Sequence, residues 1–414
     1  MPDPGGLLNN MNVQVWWRAI RYQFSTPATL SAFVGTAIAW SATGRIDASV
    51  LANVLLALIA NQAALHLSDD YFDYRHGVDS DDSSRRNLYA GGSKVLPLGL
   101  LKPAQVLVAF SLLYAVTFGI GVYLTILKGP IVFLIGIFGG LCAIFYAAPP
   151  FKLAYRGLGE AAIGINFGPV IGLGSYLVQI LPPRASLGEP TAPALAALSP
   201  EVVLLSLPLG LITFGMIVVQ EIADVEEDRA AGKRTLVVRF GTRAAVVLHF
   251  AALVASIAIV LLAIIVYRAT PWLLLTLLAA PTAARSVQIF TECHRDPERA
   301  EAAVADFLAY RFHSLMGILI VVAYGIEGLA RGRPLDGLGA IVGLFAVTYL
   351  PIVAMLYRGA PNGVTAAAKV LHLVGWRLVP SSSLGTSQIA ASARVSNTVS
   401  NVPGTPIMRS SDGR

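Results

Sequence analysis

"ALHLSDDYFDYRHGVDSDD", residues 64–82, decides how the chain is read. About forty residues of mostly apolar sequence lead into it, and six aspartates then fall within fourteen positions. The surrounding chain of 414 residues is 55% hydrophobic and only 13% charged, with a mean hydropathy of +0.67. A soluble domain carries about 25% charged residues. Uncharged apolar runs of 18 residues or more recur along this chain, which indicates an integral membrane protein. The runs are continuous rather than alternating, so the fold class expected is all-α, a polytopic bundle of transmembrane helices.

Working outward, a window of about 19 residues finds candidate spans near 27–45, 48–69, 103–127, 129–148, 158–181, 200–223, 242–267, 270–290, 308–329 and 335–357. With the N-terminus inside, the cytoplasmic segments hold 23 Lys and Arg and the outer loops hold six. That bias places both termini on the cytoplasmic side. Residues 1–21, with Trp16, Trp17, Arg18 and Arg21, suit an interfacial segment there. No charged n-region precedes an apolar run at the start, so the first span is expected to serve as the insertion signal. Residues 361–414 read as a cytoplasmic tail, and from about 378 Ser, Thr, Pro and Gly leave little to bury, which implies disorder. The basic residues are scattered over loops, so no nucleic acid is expected as a partner. Cys142 and Cys293 lie 151 residues apart and form no metal-binding spacing.

Of the 24 acidic residues, eleven fall in two stretches. The first holds Asp69, Asp70, Asp73, Asp79, Asp81 and Asp82; the second holds Glu221, Asp224, Glu226, Glu227 and Asp228. Each sits at the cytoplasmic end of an even-numbered span, with Arg75, Arg85, Arg86 and Lys94 beside the first and Arg229, Lys233 and Arg234 beside the second. Helical spacing groups Asp70 with Asp73 and Asp69 with Asp73, and in the second stretch Asp224 with Asp228. Clustered carboxylates at a helix C-terminus repel one another and oppose the macrodipole. Cations relieve both penalties, and carboxylates that share a hard divalent ion with phosphate oxygens form the Mg2+ pattern. Solvated loop charge is the bland alternative, and it suits "DSDDSS" (79–84) as well. Departure of an allylic diphosphate needs such a site, at a membrane face above an apolar chamber.

"DDYFDYRHGVD" (69–79) and "DVEEDRAAGKRTLVVRFG" (224–241) resemble the two aspartate motifs of the UbiA superfamily of intramembrane prenyltransferases. "GGSKVLPLGLL" (91–101), "YAAPPFKLAYRGLGE" (146–160) and "INFGPVIGLGSYLVQ" (165–179) resemble the 1,4-dihydroxy-2-naphthoate polyprenyltransferase branch. The resemblance implies nine family-like spans within 22–330, with a tenth over 331–360 beyond them. It implies Mg2+-dependent transfer of a polyprenyl group from its diphosphate to an aromatic acceptor, and in this branch formation of demethylmenaquinone. It also implies that Asp70, Asp73, Asp79, Asp224 and Asp228 hold Mg2+, and that Arg85 or Arg86, Lys94, Lys152 and Lys233 contact the diphosphate. A bacterial inner membrane, with the site on the cytoplasmic side, follows for the location.

Tyr146 and Tyr155 flank a Pro-Pro break; they shield the allylic cation, bind the acceptor ring, or anchor the interface. His66, one turn before Asp70, is an acceptor-binding group, a base, or a buried polar residue. Glu221 orients an arginine or acts as the base. His313 is a further ionisable residue within a span, and Arg285 suits a side chain reaching the interface. The family usually has Asn where His66 and Asp69 stand, and the menaquinone branch often has Asn at Gln220 and Pro at Ala223. These departures fall where an acceptor would touch the protein. They leave open the same chemistry on homogentisate, 4-hydroxybenzoate, a porphyrin alcohol or glyceryl phosphate. A cation-coupled transporter is the rival from another class, but transporter carboxylates sit near the bilayer midplane.

Overall fold

Proline and glycine cut the apolar runs into helices. Prolines open five of them, at Pro27, Pro103, Pro130, Pro200 and Pro271, where the missing N–H costs nothing. Gly44 and Gly77 end two in the left-handed conformation, at φ 73° and 72°. The structure is a computed structural model that describes residues 13–78, 92–183, 198–295 and 302–358. Among the described residues every regular element is helical.

The elements run α1 (13–20), α2 (Thr26–Thr43), α3 (Ala48–His76), α4 (Pro103–Lys128) and α5 (Pro130–Ile144). They continue as α6 (Gly159–Ile180), α7 (Pro200–Gln220), the short α8 (Val225–Ala230) and α9 (Leu236–Tyr267). The last are α10 (Pro271–Glu292), α11 (Ala302–Ala330) and α12 (Leu335–Arg358). The main pairings are α7 with α9, α3 with α4, and α2 with both α6 and α11.

Seven of these helices, α3, α4, α6, α7, α9, α10 and α11, are long and apolar enough to cross a membrane. Helices stand at all ten expected stretches; α2 falls short in apolarity and α5 in length, and α12 is apolar over Leu335–Tyr349. For α2 the reason is its surroundings. It is buried without a break from Thr26 to Ser41, so protein rather than lipid faces it and small or hydroxyl residues suffice. A β-carbon on Gly35 would lie 2.2 Å from the Gly172 carbonyl oxygen, and one on Gly210 would lie 2.3 Å from that of Gly164. Only glycine permits those backbone contacts between α2 and α6, and between α6 and α7. Helix α6 carries one π turn, Asn166–Val170, with Pro169 inside it.

Helix α12 lies against α2, with Phe345 edge-on to Phe33 at 5.3 Å and the Tyr349 hydroxyl donating to the Thr26 carbonyl. Helix α1 packs Ala19 under the ends of α3 and α4. Residues 361–414, expected to form a tail, lie outside the described residues.

Candidate active site

The end of α3 presents one face to a polar chamber of about 160 Å³, carrying Gln62, His66, Asp69 and Asp73. Asp70 is absent from that wall. It lies about 100° round the helix from Asp69 and is only 2% exposed. There it accepts from Arg21 Nη2 at 2.8 Å, from the Ser93 backbone N–H at 3.1 Å and from the Ser93 hydroxyl. Of the two aspartates that spacing groups with Asp73, Asp69 shares its chamber, whereas Asp70 pins the loop at Ser93 to the N-terminal segment. Asp69 Oδ1 is buried without a hydrogen-bond partner. Arg18 Nε also holds that loop, donating to the Ser93 carbonyl at 2.8 Å. The next residue, Lys94, sits at φ 58° and lines the chamber, 3.6 Å from Glu227.

The second wall comes from the turn after α7 and from α8, which bring Gln220, Glu221, Asp224, Glu227 and Asp228 to the same chamber. Lys233 stands between the two acidic stretches, 3.3 Å from Asp73 and 3.5 Å from Asp228. Burial would lower the Lys233 pKa, but Asp73 and Asp228 raise it on balance, so it is a cation. One ammonium does not offset every carboxylate. Burial pushes Asp228 up to about 7 against the pull of Lys233. Burial, then the neighbouring Glu160 carboxyl, pushes Glu221 well above the usual carboxylate range. Gln220 Nε2 is buried with no hydrogen-bond partner.

A third segment, 146–160, ties the two walls together. Tyr155 donates from its hydroxyl to Asp73 Oδ1 at 2.6 Å, and burial with that carboxylate raises its pKa, so it stays a donor. The Tyr155 carbonyl accepts from the Arg234 N–H at 3.1 Å, and Glu160 Oε1 accepts from the Leu236 N–H at 2.6 Å. Lys152, at φ 45°, turns to the rim, with Nζ 2.7 Å from His76 Nε2, and does not line the chamber. Tyr146 does, at the seam with a second, apolar cavity of about 260 Å³ between α3, α4, α5 and α6. Gln62, Leu65, Ile163 and Phe167 complete that seam.

Asp79, Arg85 and Arg86 lie outside the described residues. His313 is fully buried away from both cavities, with neither ring nitrogen bonded. Arg285 is exposed on α10, bonded to Gln288. Sequence reasoning missed Glu227, Arg21, Ser93 and Glu160 as parts of the site; Glu160 carries a usable signal, a carboxylate ending a quoted motif.

Among the described residues no three His, Cys, Asp or Glu side chains close on one point as a ready-made metal cage. The donor set nevertheless fits a hard divalent ion. Asp69, Asp73, Asp224 and Asp228 offer only carboxylate oxygens to one chamber, one of them buried and unpartnered. Mg2+ characteristically combines one or two carboxylates with substrate phosphates rather than demanding an all-protein shell.

The UbiA prenyltransferase family matches over residues 28–316. Among curated proteins, the 1,4-dihydroxy-2-naphthoate octaprenyltransferase of Bacillus subtilis (strain 168) is 25% identical over 279 residues, 67% of this chain and 83% of that one. The 2-carboxy-1,4-naphthoquinone phytyltransferase of Synechocystis sp. is 28% identical over 322 residues, 76% of this chain and 94% of that one. Among solved structures, the apo form of a UbiA homolog from Aeropyrum pernix K1 aligns with a TM-score of 0.52 at 14% identity, over 72% of this chain and 97% of that one. That likeness shows the fold.

Proposed function

Because the chain belongs to the UbiA prenyltransferase family, we propose that this membrane prenyltransferase moves a polyprenyl group from its diphosphate onto 1,4-dihydroxy-2-naphthoate, yielding demethylmenaquinone. The observation that carries the reading is convergence: two acidic stretches 155 residues apart, at Asp73 and Asp228, meet through Lys233 in one chamber. That chamber abuts an apolar cavity suited to an isoprenoid chain. The naphthoate acceptor is favoured by the activities named for the Bacillus and Synechocystis relatives.

Asp69, Asp73, Asp224 and Asp228 would hold Mg2+, which when bound neutralises the departing diphosphate. Lys94 and Lys233 line the same wall and take up phosphate charge as it develops. Tyr155 orients Asp73, and Glu160 anchors the loop carrying Tyr155 to the start of α9. Tyr146, at the seam, faces the place where the allylic carbon passes from polar to apolar surroundings. The chain's Lys and Arg bias supports a site on the cytoplasmic side, and a bacterial inner membrane is the location proposed.

The experiment supplies purified protein in detergent with a labelled polyprenyl diphosphate, Mg2+ and a panel of aromatic acceptors, with products identified by mass. The expected product is the prenylated, decarboxylated naphthoquinol, absent after chelation by EDTA and restored by Mg2+. Turnover of a different acceptor alone, or undiminished turnover in EDTA, overturns the corresponding part of the reading.

A further inference from the structure

Gln62 and His66 lie one turn apart on α3 and both line the polar chamber, with Gln62 Nε2 2.9 Å from His66 Nε2. An amide nitrogen donates and does not accept. His66 Nε2 is therefore the acceptor, and the proton of the neutral imidazole sits on Nδ1. Nδ1 has no hydrogen-bond partner among the described residues. The ring is also held in tilt. Phe24 lies across it with centroids 5.4 Å apart, and Tyr310 meets Phe24 edge-on at 5.5 Å. Phe24 and Tyr310 line the same chamber, beside Thr213 and Met216.

We infer that His66 is a specificity-determining hydrogen-bond donor whose Nδ1–H binds an oxygen substituent of a flat aromatic acceptor seated beside Phe24, and that Gln62 is the positioning residue that sets its tautomer. The nature of that ligand rests on the prenyl-transfer reading above. A base role conflicts with the geometry, because Nδ1 already carries its proton and Gln62 occupies the lone pair of Nε2. The arrangement selects for a ring oxygen acceptor, be it carbonyl, carboxylate or phenolate. A ring without one leaves the buried donor unpaired, which sites of this kind reject strongly.

The test uses the full chain with polyprenyl diphosphate, Mg2+ and 1,4-dihydroxy-2-naphthoate. His66→Phe is expected to raise the KM for the acceptor roughly tenfold, the worth of one hydrogen bond, with the donor KM unmoved. His66→Asn keeps an amide donor and recovers part of that loss. Gln62→Glu presents a carboxylate that draws the proton to Nε2, and gives the same acceptor-specific defect. Equal defects in His66→Phe and His66→Asn, or a fall in kcat at constant acceptor KM, overturn the assignment and leave prenyl transfer standing. Wild-type protein that prenylates no aromatic ring overturns the underlying reading instead. Nitrogen-15 spectra of histidine-labelled protein, with His66→Asn identifying the signal, decide the tautomer without any turnover. A protonated Nδ1 supports the inference, and a protonated Nε2 ends it.

Discussion

Neighbouring aspartates on α3 have opposite employment. Asp73 faces the chamber and Lys233, while Asp70 is consumed by Arg21 and Ser93. Their substitutions should therefore fail differently. Asp73→Asn and Asp228→Asn are expected to cut turnover by two orders of magnitude or more, roughly the scale of losing electrostatic stabilisation of a leaving group, with the melting temperature held. Asp70→Ala takes from the part-buried Arg21 guanidinium the carboxylate it donates to, and from Ser93 its acceptor. It should lower the melting temperature on the order of 5 °C and reduce turnover through the displaced loop at Ser93. A thermal melt in detergent beside a rate assay separates the two, and equal melts for Asp70→Ala and Asp73→Asn contradict the division. Tyr155→Phe removes the hydrogen bond to Asp73 alone, with an expected loss of turnover near tenfold by the same assay.

Among the elements, the glycine contacts set how closely α2, α6 and α7 approach. Gly35→Ala drives a β-carbon into a carbonyl oxygen, whereas Gly136→Ala on α5 meets nothing within 4 Å. The first is expected to lose folded, monodisperse protein on size-exclusion chromatography, through overpacking of about 1–3 kcal/mol, and the second to behave as wild type. Much at this scale was legible beforehand. Continuous apolar runs placed the helices, and the repetition of carboxylates at two helix ends brought Asp73, Asp224, Asp228 and Lys233 to one site. Spacing grouped Asp69 and Asp70 alike with Asp73, and which of the two faces the chamber was not legible. Adjacent positions on the edge of one helical face carry similar periodic signals. The choice between them was made by Arg21 and Ser93, distant in the chain by 49 and 23 residues. Likewise Tyr155 and Glu160 act through a loop whose docking onto 234–236 no local pattern announces. The weak apolarity of α2 followed from its central place, which a hydropathy window does not see.

Taken whole, the molecule sets a charged chamber against a greasy one, with Tyr146 at the seam. Filling the greasy one should alter chain-length preference without touching the chemistry. Gly136 lines it and has open space, so Gly136→Phe is expected to discriminate against long donors while a short prenyl diphosphate still reacts. Competition between donors of two lengths, read by product mass, checks this; an unchanged product ratio rules out the cavity as the chain's resting place. Lys233 has a consequence of another kind. Joined to a carboxylate from each acidic stretch, it gives the two walls a counterion that belongs to the chain itself. Before any donor binds, the two acidic walls are already drawn to one ammonium.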